Sequence, residues 1–146
     1  MRQIDEYSYQ CGVMDCFNEM VKAGLKRIAL AHPSRTKSQR DEYIPFAEMI
    51  TEKYQTHYYL DDDPLITDLF PYSLNRGTFN IIFYKEEKDI EEYKALKARK
   101  AAALENGRYA ACRGDIAASF GRLLSYSSET IQAYIENNGE KEREKA

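Results

Sequence analysis

The stretch that most constrains the fold of this chain covers residues 78–85 and reads Thr-Phe-Asn-Ile-Ile-Phe-Tyr-Lys. Successive side chains of a strand point to opposite faces of a sheet. The apolar residues divide between the two faces, with Phe79, Ile81 and Phe83 on one and Ile82 and Tyr84 on the other. A strand that is apolar on both faces is covered on both sides. The sequence therefore predicts a central strand within a layered α/β fold.

Two further strands are expected earlier in the chain, at residues 25–31 and 56–60. The first ends at His32, because the residue before Pro33 is disfavoured in the helical region. The second ends at a run of three aspartates. A helix is expected between the two strands. A strand, helix and strand joined over this length predict a right-handed parallel crossover.

Helical periodicity covers most of the remaining chain. Residues 6–23 form an amphipathic pattern that ends at Gly24. Residues 86–106 and 109–126 form two more, and Ser127 or Ser128 caps a last helix. For the helix after the first strand, both Ser38 and Asp41 are possible caps, and Asp41 agrees better with a proline in the first turn.

Together these patterns predict an α/β domain with a small mixed sheet of three or four strands, flanked by helices and followed by a helical C-terminal third. We expect one domain over residues 1–136. Residues 137–146 are polar and charged, and we expect them to form a disordered tail.

Composition excludes several classes of protein. The chain has 146 residues and a net charge of −3, which fits one domain and disfavours binding to nucleic acid. No apolar run has the length of a membrane span, and the N-terminus lacks the apolar core of a signal peptide. Three cysteines, Cys11, Cys16 and Cys112, show no metal-binding or disulfide spacing. A cytoplasmic location with reduced thiols is the expectation.

The loop after the first strand is the best candidate for a binding site. Ligands of open α/β sheets bind outside the carboxyl ends of strands, where this loop begins. Hydroxyl and cationic side chains there form a predicted cradle for a small, phosphate-bearing anion. The residues of this cradle are Ser34, Arg35, Thr36, Lys37 and Arg40. A solvated surface loop with a capping residue is the other interpretation of the same pattern.

The acidic run after the second strand is expected at the same edge of the sheet. Asp61 and Asp63 are the residues there that we predict as oxygen ligands for Mg²⁺. Adjacent carboxylates repel each other unless a cation or basic neighbours compensate them. The basic loop is the alternative source of that compensation, and a plain acidic turn is the third possibility.

His32 is the candidate for general acid–base chemistry, because it ends a strand at this edge and its imidazole titrates near neutral pH. The pattern does not require catalysis, and whether the protein is an enzyme stays open. If binding occurs, we expect one concave pocket lined by the basic and the acidic loops, with His32 partly exposed.

A different class of function is also compatible with the sequence. The long charged helix at residues 86–106 has a narrow apolar stripe, which is typical of a helix that contacts a partner. The alternative is therefore a non-catalytic interaction or assembly module, including a homo-oligomer, that uses its late helices. Such a module predicts an exposed apolar patch on those helices.

Overall fold

The fold consists of helices on both faces of a small sheet, and the computed structural model describes residues 1–143. The strands are β1 (Ile28–Leu30), β2 (His57–Asp61) and β3 (Asn80–Tyr84). The helices are α1 (Glu6–Lys22), α2 (Lys37–Asp41), α3 (Ile44–Tyr54), α4 (Tyr72–Asn75), α5 (Glu87–Glu105), α6 (Tyr109–Leu123) and α7 (Ser128–Asn137). The predicted α/β class and its helical C-terminal third are confirmed.

The sheet has the order β1-β3-β2, with β3 antiparallel to both neighbours. Phe83 of β3 pairs with Ala29 on one side and with Tyr58 on the other. The prediction that β3 is central is confirmed. The prediction of a mixed sheet is wrong, because β1 and β2 run in the same direction but β3 separates them. The sheet has three strands, the lower of the two numbers predicted.

The residues of β3 alternate between two separate cores. Ile81 and Phe83 pack with α1 and α3 in a cluster that includes Met14 and Ile50. On the opposite face, Ile82 packs with residues of α5, α6 and α7. The sheet is thus covered by helices on both faces, as the pattern of apolar residues predicts.

The connection between β1 and β2 differs from the expected single helix. The hydroxyl of Thr36 accepts a hydrogen bond from the backbone N–H of Gln39 at 3.1 Å. Thr36 therefore caps α2, which begins at the next residue, Lys37. A second helix, α3, starts after Tyr43 and carries Pro45 in its first turn. The caps expected at Ser38 and Asp41 are therefore wrong, whereas the position of the proline agrees with its missing N–H.

Residues 138–143 lie against the domain, in the region where we expected a disordered tail. The buried side chain of Asn138 donates hydrogen bonds to the backbone oxygens of Asp68 and Phe70, each at 3.0 Å. Glu142 pairs with Lys100 at 2.6 Å. Residues 144–146 of the predicted tail lie outside the described residues.

None of the helices within residues 1–143 combines the length and apolar character that a membrane crossing requires. This finding agrees with the absence of a long apolar run in the sequence.

Candidate functional site

The loop that follows β1 is anchored at the end of the sheet. Ser34 and Phe79 form an isolated antiparallel bridge, with both N–H to oxygen distances at 2.9 Å. Because Leu30 pairs with Ile82 and Asp61 with Asn80, β1 and β2 both end where β3 begins. The two candidate loops therefore leave the sheet at the same edge, as expected.

A cleft of about 380 Å³ lies between this loop and α1, and we call it the loop cleft. Its walls include the following side chains: Tyr7, Gln10, His32, Ser34, Arg35 and Tyr43. The rings of Tyr7 and Tyr43 stack with their centroids 5.0 Å apart. Burial raises the pKa of both tyrosines above the ordinary value of 10.0.

Arg35 is exposed, and no carboxylate of the described residues pairs with its guanidinium. Within residues 1–143 it makes no hydrogen bond or ion pair. The hydroxyl of Ser34 and the imidazole of His32 also make no hydrogen bond in this part of the chain. His32 is exposed. These three residues leave their hydrogen-bonding groups available to a molecule in the loop cleft.

The other two cations of the predicted cradle compensate the acidic loop. Arg40 is buried and donates a hydrogen bond to Asp62 at 2.6 Å and another to the backbone oxygen of Asn80 at 3.0 Å. Lys37 lies 3.4 Å from Asp62. The hydrogen bond from Arg40, supported by Lys37, lowers the pKa of Asp62. Cations of the basic loop thus compensate the negative charge of Asp62. This is one of the alternatives that the sequence left open.

Asp61 is buried and fully engaged on the other side of the loop. Its carboxylate accepts hydrogen bonds from the hydroxyl of Tyr93, from Lys97 at 2.9 Å and from the N–H of Asp63 at 3.1 Å. Burial, followed by the charge of Asp61, raises the pKa of Tyr93 well above its ordinary value. Asp61 therefore has an ammonium and two N–H or O–H donors around it.

The structure gives the predicted magnesium site no supporting group of ligands. In the part of the chain that is described, no group of three or more His, Cys, Asp or Glu side chains has an arrangement that holds a metal ion. Asp63 is exposed, and neither Asp61 nor Asp63 lines the loop cleft. The metal site at these two residues stays a prediction.

The loop cleft includes part of the predicted cradle and adds a wall that the sequence did not indicate. His32, Ser34, Arg35 and Arg40 line it, whereas Thr36 and Lys37 do not. The acidic loop does not line the loop cleft, and its Asp62 pairs with Arg40 and Lys37, so the loop cleft is not the expected pocket between both loops. The missed wall comes from α1 and includes Tyr7 and Gln10. A tyrosine outside the apolar stripe of a predicted helix is the sequence signal that could have indicated it.

The late helices expose few large apolar side chains. Leu104 of α5 and Tyr134 of α7 are the ones exposed in the described residues of these helices. An interaction surface there stays a prediction.

Comparisons with known proteins give no relative for this chain. No protein-family model matches it. Neither the curated proteins nor the solved structures gave a match.

Proposed function

We propose that this protein binds a small anionic molecule, with phosphate-bearing compounds as the first class to test, in the loop cleft. The observation that carries the proposal is that Arg35 makes no ion pair within the described residues. It lines a concave site while the other two cations of its loop pair with Asp62. An arginine beside free hydroxyl and imidazole groups is suited to a planar or tetrahedral oxyanion.

The roles of the residues follow from their chemistry. The guanidinium of Arg35 offers two parallel N–H donors to an oxyanion. The hydroxyl of Ser34 donates one more hydrogen bond, and its position is held by the bridge to Phe79. His32 donates from its N–H. None of these roles involves a chemical step, and the proposal is one of binding.

Acidic side chains restrict where the anion lies. Glu6 and Glu42 also line the loop cleft, and both belong to segments other than the loop that carries Arg35. Because like charges repel, the anion is expected on the side of Ser34 and Arg35. This arrangement favours a small ligand over a long polyanion.

The test is a thermal-shift screen with inorganic phosphate, phosphorylated metabolites and nucleotides, at constant ionic strength. A ligand that binds only the native state raises the melting temperature by mass action. We expect at least one phosphate-bearing compound to stabilise the wild type, and we expect Arg35→Gln and His32→Ala to weaken that effect.

Lys37→Gln is the matched control, because it removes one charge from the same loop at a position outside the loop cleft. It is expected to keep the stabilisation. If no compound stabilises the wild type, or if Lys37→Gln and Arg35→Gln weaken the effect equally, the proposed site is wrong.

A further inference from the structure

A second cleft, of about 330 Å³, lies on the other side of the His32–Pro33 segment. Its apolar walls come from α1, from α4 and the segment before it, and from the residues that follow α6. They include Tyr9, Phe17, Phe70, Leu74 and Tyr126. We call it the lysine cleft, because Lys26 is the one lysine among its lining residues. It shares His32 and Pro33 with the loop cleft.

Lys26 stands in this cleft without an acidic partner. Its ammonium donates a hydrogen bond to the backbone oxygen of Leu124 at 2.8 Å, and it lies 5.0 Å from the ring centroid of Tyr126 and 6.0 Å from that of Phe17. Among the described residues, no carboxylate pairs with it and no Asp or Glu lines the cleft. Burial lowers the pKa of Lys26. A partly buried cation without a counter-ion is stabilised by an anion that enters beside it.

Two buried asparagines add hydrogen-bonding capacity to the same cleft. Asn75 is 8% exposed, and its carboxamide makes no hydrogen bond within residues 1–143. Asn80 is 2% exposed and accepts a bond from the N–H of Ile81 at 2.8 Å, but its amide nitrogen donates none in that range. In the described residues, the hydroxyl of Tyr109 is the only buried side-chain nitrogen or oxygen without a partner, so the unused groups of Asn75 and Asn80 are reached from the cleft. They are therefore available to a ligand that enters it.

We propose that the lysine cleft binds a small aromatic carboxylate. The carboxylate pairs with Lys26, the carboxamides of Asn75 and Asn80 donate further hydrogen bonds to the ligand, and the ring packs between the aromatic walls. A single cation without acidic neighbours matches one negative charge. A volume of about 330 Å³ limits the ligand to one or two rings. This inference does not depend on the function proposed for the loop cleft.

The first experiment compares three probes by calorimetry on the full chain: phenylacetate, its neutral analogue phenylacetamide, and hexanoate, a carboxylate without a ring. We expect phenylacetate to bind about tenfold or more tightly than phenylacetamide, because only the carboxylate pairs with Lys26. We expect hexanoate to bind more weakly than phenylacetate, because it lacks the ring contacts. Lys26→Met keeps an unbranched apolar stem and is expected to remove the preference for phenylacetate over phenylacetamide.

A second pair of variants does not alter Lys26 and so keeps the test valid if Lys26→Met disturbs the fold. Leu74 lines the cleft and is partly exposed, so polar substitutions there are tolerated. Leu74→Glu places a carboxylate in the cleft and is expected to weaken phenylacetate about tenfold relative to Leu74→Gln, with phenylacetamide unaffected. Arg35→Gln, in the other cleft, is expected to leave phenylacetate binding unchanged.

Each of four results would overturn the proposal. The first is that phenylacetate shows no saturable binding at millimolar concentration, or binds no better than phenylacetamide. The second is that Leu74→Glu and Leu74→Gln bind phenylacetate equally. The third is that hexanoate binds as tightly as phenylacetate, which would reject an aromatic ligand. Loss of phenylacetate binding in Arg35→Gln would instead assign this probe to the loop cleft and contradict the lysine cleft as its site.

Discussion

Arg40 shows how a charged residue of a basic loop becomes part of the scaffold. Its side chain is 2% exposed, and it donates to the carboxylates of Asp41 and Asp62 and to the backbone oxygen of Asn80. The guanidinium thereby connects the loop after β1 to the loop after β2 and to the start of β3. Arg35, five residues earlier, has none of these contacts and remains available to a ligand.

Arg40→Met is expected to lower the free energy of unfolding by about 2 to 3 kcal/mol, because it leaves the buried backbone oxygen of Asn80 without this donor and removes the nearest cation from Asp41 and Asp62. Arg35→Met makes the same chemical change at an exposed position and is expected to change stability by about 0.5 kcal/mol or less. Urea denaturation of both variants measures the difference. Equal effects would contradict the scaffold role of Arg40.

The ion pair between Asp62 and Arg40 predicts a dependence of stability on pH. The pKa of Asp62 in the folded protein lies below its ordinary value of 3.8. The stability that ionised Asp62 contributes to the folded protein is therefore fully present above the ordinary pKa. It is lost as the pH falls through the lowered pKa of the folded state. We expect the wild type to be more stable than Asp62→Asn near neutral pH, with the difference shrinking below pH 3.8 as Asp62 becomes protonated. Urea denaturation at a series of pH values checks this, and a difference that is constant with pH would contradict it.

At the scale of elements, α6 and α7 are in close contact at Gly121. A Cβ atom built on Gly121 would lie 2.5 Å from Cγ1 of Ile131. Such a distance is too short for two carbon atoms, so a side chain at this position forces the Ile131 side chain, or the helix that carries it, to move. Glycine is needed here because of the close packing of the two helices.

Gly121→Ala is expected to destabilise the protein by about 1 to 3 kcal/mol through overpacking. Gly114→Ala lies on the same helix with no atom near the new methyl group, and we expect it to stabilise by about 0.5 to 1 kcal/mol. Thermal denaturation of both variants tests the contrast. In the double variant Gly121→Ala/Ile131→Ala, the methyl group no longer meets Ile131, so the two single losses should not add.

The segment after α7 makes a separate prediction. Asn138 is buried and donates to two backbone oxygens, whereas its neighbour Asn137 is exposed. We expect Asn138→Ala to lower the free energy of unfolding by about 1 to 3 kcal/mol, because the backbone oxygens of Asp68 and Phe70 lose their donor. Asn137→Ala is expected to have little effect on the free energy of unfolding. Hydrogen exchange after both substitutions would also report whether the segment detaches. An equal response would contradict its docking.

Sequence patterns predicted these elements to different extents. The apolar faces of β3 and the glycine after α1, where Gly24 has a φ of 80°, are local signals, and both gave the correct structure. Strand partners are not local, so the antiparallel pairing of β3 with both neighbours was missed. The hydroxyl of Thr36, which the sequence predicts as a ligand contact, accepts the capping hydrogen bond of α2, and its contact with a ligand stays a prediction.

The site was predicted in part for similar reasons. The prediction that the two loops leave the sheet at the same edge is correct, because β1 and β2 both end there. The loop residues could be identified from the sequence, but their partners could not. Arg40 and Lys37 contact Asp62 from across the sheet edge, more than twenty residues away in the chain. The asparagines of the lysine cleft gave no sequence signal, since unused carboxamides are recognised only after folding.

For the whole molecule, the sheet edge separates two clefts with different chemistry. The His32–Pro33 segment lines both of them. The loop cleft has Arg35 with hydroxyl and imidazole groups, and the lysine cleft has Lys26 with aromatic walls. Because their cations differ, we expect inorganic phosphate and phenylacetate to bind independently of each other. Calorimetric titration of one probe in the presence of saturating amounts of the other measures this directly, and competition between them would contradict two separate sites.

The most direct test of anion binding in the loop cleft is a ¹H–¹⁵N NMR titration of the full chain with inorganic phosphate at constant ionic strength, on the wild type and on Arg35→Gln. The proposed site predicts saturable shifts at the amides of Gln10, His32, Ser34 and Arg35, and their loss in the variant. Shifts that are linear in phosphate, that spread over the surface, or that persist unchanged in Arg35→Gln would contradict it.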